Sequence, residues 1–254
     1  SSTHDAMEDL AGRLFPDGTA ADPAPVVTLT DFDPDTETKL VAAMLYPHLD
    51  LPEHQIEARV RELGAEDRMA VVRAYVGDRA NRRHKPGRAL ERPFYRFDVL
   101  ADYGAFRDLQ RHRMLTIEWQ RLTPAHGYTR PGAVDAAGAA DRFDEAMERS
   151  AALYDALSEP FPDQASYAVS LAYKVRFSLN LNARSAMHLI ELRTTPQGHP
   201  AYRLVGQEMH RLIAEEAGHH AVAEMMRFVD HSEEAELERL HSERRAEVRR
   251  LGRA

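Results

Sequence analysis

The chain has 254 residues, 43% of them hydrophobic and 29% charged, a formal net charge of −8 and no cysteine. That is enough chain to bury a full core, as one large domain or two small ones, and it excludes disulfides, thiolate metal sites and thiol nucleophiles. No stretch of about 18 apolar residues marks a membrane span, no basic-then-apolar opening marks a secretory signal, and the acidic balance argues against nonspecific nucleic-acid binding; the expected setting is the reducing cytoplasm.

Residues 1–25 carry Pro16, Gly18, Pro23 and Pro25 and read as an extension outside the core, with no helix. Val26–Thr30 reads as a strand, followed by a turn and a helix from Asp35 or Thr36 to Tyr46. Pro52 opens a second helix, and Glu66–Val76 forms a third. Arg79–Arg92 is basic and irregular, and is either a solvated charge run or an anion-binding loop. Pro93–Ala101 alternates as a strand, with Tyr95, Phe97 and Val99 on one side. A helical lead-in from Tyr103 to Gln110 feeds Arg111-His112-Arg113 into a strand whose Leu115, Ile117, Trp119 and Arg121 share one face. Loop 124–139 precedes a helix over Ala140–Leu157, and Pro162–Tyr173 is a further helical candidate. Val175–Leu181 alternates as a strand, and Asn182 caps a helix running to about Arg193. Pro200 opens a long helix reaching about Val229, and 231–254 reads as a charged helical tail.

Two places hold residues suited to chemistry. In the long helix, Glu216 and His219 form a Glu-x-x-His pair and His220 lies four residues before Glu224. Carboxylate-bridged metal bundles need two such units and further glutamates, so the plainer reading is polar positions on an amphipathic helix, with a helical metal-binding protein as the remote alternative. In the helix after Asn182, Arg184 and His188 share a face, and Arg193 projects from its carboxyl end. Free backbone amides at the amino end attract an anion, and guanidinium groups supply paired donors, so this helix suits a phosphate-bearing ligand.

Together the two stretches resemble the flavin-dependent thymidylate synthases, which carry an Arg-His-Arg tripeptide opening a strand and a later Asn-x-Arg-x-x-x-His/Asn-x-x-x-x-Arg helix. Here these are Arg111-His112-Arg113 and Asn182, Arg184, His188, Arg193, with a looser upstream counterpart beginning at His84. The resemblance covers 26–230 and implies an α+β subunit, an antiparallel sheet flanked by helices, in a homotetramer with FAD held between subunits. It implies that Arg111, His112, Arg113, Asn182, Arg184, His188 and His84 hold the flavin, and that Arg193 faces the pyrimidine as the catalytic group. The implied reaction is reductive C5-methylation of dUMP or UMP with methylenetetrahydrofolate and NADPH. The alternative is an FAD-binding relative with another substrate or a non-catalytic role. The departures fall on the nucleotide side: Asp108 stands where the family has Gln, Trp119 replaces an acid, and Thr123 and Ser166 replace phosphate-binding arginines. Arg121, two residues before Thr123, is the expected substitute for one of them.

Overall fold

The computed structural model describes residues 2–16, 21, 23–232 and 248. Its centre is a four-stranded antiparallel sheet, β1 (Val27–Phe32), β2 (Phe94–Asp102), β4 (Lys174–Asn182) and β3 (Thr116–Trp119) in that spatial order. β2 and β4 pair along their whole lengths, from Phe94 opposite Asn182 to Asp102 opposite Lys174. Alternation decides their faces: Tyr95, Phe97, Val99, Val175, Phe177, Leu179 and Leu181 are buried, while Arg176 and Asp98 pair at 2.7 Å on the other face. Each fully buried large side chain contributes roughly 1.5–3 kcal/mol, so the alternation pins the register.

Both central strands turn directly into helices through the same device. Asp102 accepts from the Ala105 amide at 2.8 Å to start α5 (Tyr103–Leu109), and Asn182 accepts from the Ser185 amide at 2.8 Å to start α8 (Ala183–Arg193). Because β2 and β4 are antiparallel, these two helices leave from opposite ends of the sheet. The apolar face is covered by α2 (Thr36–Leu45), α5, α8, α9 (Pro200–Glu215) and α10 (His220–Met225). The helices α3 (Glu53–Glu62) and α4 (Ala65–Val76) pack outside α2. The short α6 (Gly132–Ala136) and α7 (Ala140–Ser158) form a flank with its own small core around Met147, Val169 and Tyr173.

Six expectations need correction, two of them brief: the strand expected to carry Arg121 ends at Trp119, and the loop expected over 124–139 holds the short helix α6. Residues 2–14 form helix α1, complete before Pro16 can interrupt it, although the side chains of 3–14 are exposed. β1 runs two residues further, to Phe32, across an irregularity between Leu29 and Asp31. Pro162–Tyr173 holds only a single 3-10 turn, Ala165–Ala168. There Val169 and Tyr173 meet α7, with the Tyr173 hydroxyl donating to the Met147 carbonyl at 2.6 Å, so tertiary docking satisfies the apolar spacing without a helix. The long helix from Pro200 is two helices, broken at Gly218, whose φ of 70° suits glycine. The proposed tail at 231–254 lies almost wholly outside the described residues. No helix among the described residues is long and apolar enough to cross a membrane.

Candidate functional site

The residues after α5 and the outward face of α8 meet at one cavity of about 430 Å³. The sequence explains the meeting. In α8, Ala183, Ala186, Met187, Leu189 and Ile190 are buried, which turns Arg184, Ser185 and His188 toward the cavity. Arg111–Leu115 leads from α5 into β3 and forms a second wall. The basic segment supplies a third with Arg79, Arg82, Lys85 and Pro86.

Arg193 is held from four sides. Its Nε donates to His112 Nε2 at 3.0 Å, Nη1 lies 3.4 Å from the Asp108 carboxylate, Nη2 donates to the Asp108 carbonyl, and the guanidinium lies 5.3 Å from the Tyr202 ring centre. Asp108 also reaches Arg111 at 3.4 Å. Since guanidinium only donates, His112 must accept at Nε2 and carry its proton on Nδ1. Burial, and then the charges of Arg193 and His188, push the His112 pKa down to about 4. His188 packs edge-on against His112 at 5.6 Å between centroids. Its pKa is lowered by desolvation at the pocket wall, then by Lys85 and Arg82. Both rings are therefore neutral hydrogen-bonding groups at pH 7.

Arg184 donates to the Pro86 carbonyl at 3.2 Å and to Glu91 at 2.8 Å. Seven cationic side chains and two carboxylates, Glu91 and Glu191, line the cavity. That excess of fixed donors, beside the amino end of α8, is the chemistry of an anion site.

Of the residues singled out in the sequence, Arg111, His112, Arg113, Asn182, Arg184, His188 and Arg193 line this one cavity. His84 and Arg121 do not. The His84 ring turns into its own loop, 3.4 Å from the Ala80 amide and 3.2 Å from the Asn81 side chain. Arg121 is exposed and donates to the Pro162 carbonyl. Trp119 is 58% exposed on the edge strand and leans on Phe106 at 5.4 Å, so it is neither a core aromatic nor a wall of this cavity. The helical metal reading fails because Glu216 lies beyond α9 and His219 precedes α10, on either side of the Gly218 break. His219 is buried and its Nδ1 lies 2.9 Å from the Tyr95 hydroxyl. No cluster of three or more His, Cys, Asp or Glu suited to a metal occurs among the described residues.

Sequence reasoning missed one pair. Arg79 and Glu191 form a two-pronged ion pair with both contacts at 2.6 Å and side-chain exposures of 3% and 1%. The signal was available: Glu191 lies on the buried face of α8 with Met187 and Ile190, and a carboxylate there requires a partner.

A family model described as thymidylate synthase complementing protein matches residues 28–219. The chain belongs to that family. It is similar to a UPF0159 protein of Chlamydia muridarum (strain MoPn / Nigg), 38% identical over 219 residues that cover 86% of this chain and 41% of the relative. A UPF0159 protein of Thermoplasma acidophilum is 33% identical over 216 residues, covering 84% and 42%. The chain thus spans about two-fifths of the length of these curated relatives. The UMP/dUMP methylase PolB from Streptomyces cacaoi, solved bound with 5-Br dUMP, superposes with a TM-score of 0.58 at 19% identity, over 77% of this chain and 93% of that one. At that identity the likeness speaks for the fold alone.

Proposed function

We propose that the chain is a flavin-dependent methylase that reductively methylates C5 of a uracil nucleotide, dUMP or UMP, with methylenetetrahydrofolate and NADPH. The observation that carries this reading is the convergence of Arg111–Arg113 and the Asn182–Arg193 helix on one cation-rich cavity, in a chain of the thymidylate synthase complementing protein family. The lining fits FAD by its donor set: Arg111, Arg113, Arg184 and the amino end of α8 suit the diphosphate, while Asn182 and the neutral His112 and His188 suit polar ring edges. When bound, FAD would supply the redox and one-carbon relay chemistry. The chain's own part is to bind, orient and stabilise charge. Arg193, fixed by Asp108, His112 and Tyr202, would stabilise negative charge developing on the pyrimidine. His112, held with an unprotonated Nε2, keeps that guanidinium aimed without adding a second charge beside it.

One observation favours a second reading, a flavin-binding relative acting on something else. Arg121, Thr123 and Ser166 lie outside the cavity, and the Asp108 carboxylate offsets part of the charge of Arg193. Weak dUMP binding is the consequence if no other copy of the chain supplies the missing arginines. The test is product formation from dUMP and from UMP with FAD, NADPH and methylenetetrahydrofolate, read by chromatography. The expected result is a 5-methylated nucleotide, formed slowly from dUMP. No methylation of either nucleotide by flavin-loaded protein would decide for the second reading.

A further inference from the structure

The wall formed by the basic segment is built around one side chain. The five N–H groups of Arg79 are all engaged. Nη1 and Nη2 each donate to a Glu191 oxygen at 2.6 Å, Nη1 also to the Met225 carbonyl at 3.0 Å, Nε to the His84 carbonyl at 2.7 Å, and Nη2 to the Arg82 carbonyl at 3.4 Å. One guanidinium thus takes hold of the loop backbone at residues 82 and 84 and fastens it to α8 and to the end of α10. At the far end, the Pro86 carbonyl accepts from Arg184 of α8. A loop tied at both ends to the same helix cannot drift from the cavity.

What that loop presents are Arg82 and Lys85. Both line the cavity, and neither side chain has an ion-pair partner among the described residues. This sets them apart from Arg88, which pairs with Glu91, and Arg92, which pairs with Glu53. After desolvation, Lys85 and then Arg82 lower the pKa of neighbouring His188, so the charge of both reaches the cavity. An anion in the cavity would meet both charges.

Building on the reading of this cavity as a nucleotide site, we propose that Arg82 and Lys85 form a phosphate-binding subsite within it, and that Arg79 and Glu191 are the positioning pair that holds the subsite in place. The ligand group is a phosphate ester or diphosphate. It can come from the flavin or from the pyrimidine nucleotide, and the two sources are separable by experiment.

The primary probe is inorganic pyrophosphate, titrated against the full chain while the His188 ring resonances are followed by NMR. Pyrophosphate is expected to saturate and to raise the His188 pKa, because an anion replaces the net influence of two cations. Arg82→Gln with Lys85→Gln should raise the His188 pKa in the free protein and weaken pyrophosphate by about 10- to 100-fold. Glu191→Gln keeps both cations but loosens the loop. It should weaken pyrophosphate comparably, although Glu191 holds the His188 pKa up and its neutralisation should lower that pKa. Removing a carboxylate by charge alone would favour an anion, so weakened binding reports the lost positioning. No saturable pyrophosphate binding in the unmodified protein, or equal binding in the double variant, would overturn the subsite. Should Glu191→Gln fail to fold, the double variant still decides the matter, since Arg82 is half-buried and Lys85 exposed. FAD and dUMP titrations of the same proteins then assign the source: the ligand whose affinity falls in the double variant is the one whose phosphate sits there. Pyrophosphate binding that depends on Arg82 and Lys85, with neither FAD nor dUMP binding at all, would keep the subsite and refute the functional reading.

Discussion

His112 ties charge, tautomer and pH together. Its Nε2 accepts from Arg193, and its pKa is pushed down to about 4 by burial first and by Arg193 and His188 next. The unfolded chain takes up a proton as pH falls through about 6.5, while the folded chain does not until about 4. The unfolded state therefore binds more protons across that window, and stability is lost as pH falls through it. For His112 alone, discounted for the solvent that screens its partly exposed ring, the loss between pH 7 and pH 5 is about 1 kcal/mol. His126, His188, His210 and His219 shift in the same direction, each through desolvation first, and add to it. Urea unfolding at the two pH values should show a clearly lower midpoint at pH 5, and His112→Gln should reduce the difference by its own share. A midpoint that stays constant from pH 7 to pH 5 would mean that these rings are ordinary histidines. The residue-level roles were only partly legible in the sequence. Arg193 could be picked out by its spacing from Asn182, but its clamp by Asp108 joins residues 85 apart, and no local pattern encodes that contact.

The two strand-to-helix junctions offer a comparison within one molecule. Asp102 and Asn182 each cap a helix by accepting an amide three residues on, both at 2.8 Å, yet only Asn182 lines the cavity. Replacing either by Ala should cost about 0.5–2 kcal/mol of stability, the usual worth of such a cap. FAD affinity should fall only for Asn182→Ala; equal effects of both variants would show that Asn182 acts through the helix alone. Caps and alternation are short-range signals, so β2, β4 and α8 could be read from sequence close to their observed bounds. The elements misread were those where longer-range forces decide. Pro162–Tyr173 has helical spacing but docks on α7, and the helix expected to continue to Val229 stops where Gly218 adopts positive φ and His219 turns inward to Tyr95. The Arg79–Glu191 pair spans 112 residues, and it makes the basic segment, readable either as a solvated charge run or as an anion-binding loop, part of a cavity wall.

On the scale of the whole molecule, an acidic chain of net charge −8 encloses a basic cavity. Ligand association should therefore depend on local focusing rather than on overall charge. Within one chain, Trp119, Arg121, Thr123 and Ser166 stand apart from the cavity, which accords with a site completed between copies. Light scattering at micromolar concentration is expected to give a tetramer, and a monomer that retains flavin would contradict that assembly. The central claim, that the cavity takes a phosphate-bearing flavin, is tested most directly by titrating FAD into the purified protein and following the flavin absorbance. The account predicts saturable, stoichiometric binding, weakened about 10- to 100-fold in Arg184→Ala with the fold retained. No saturable binding, or an affinity unchanged in Arg184→Ala, would contradict it.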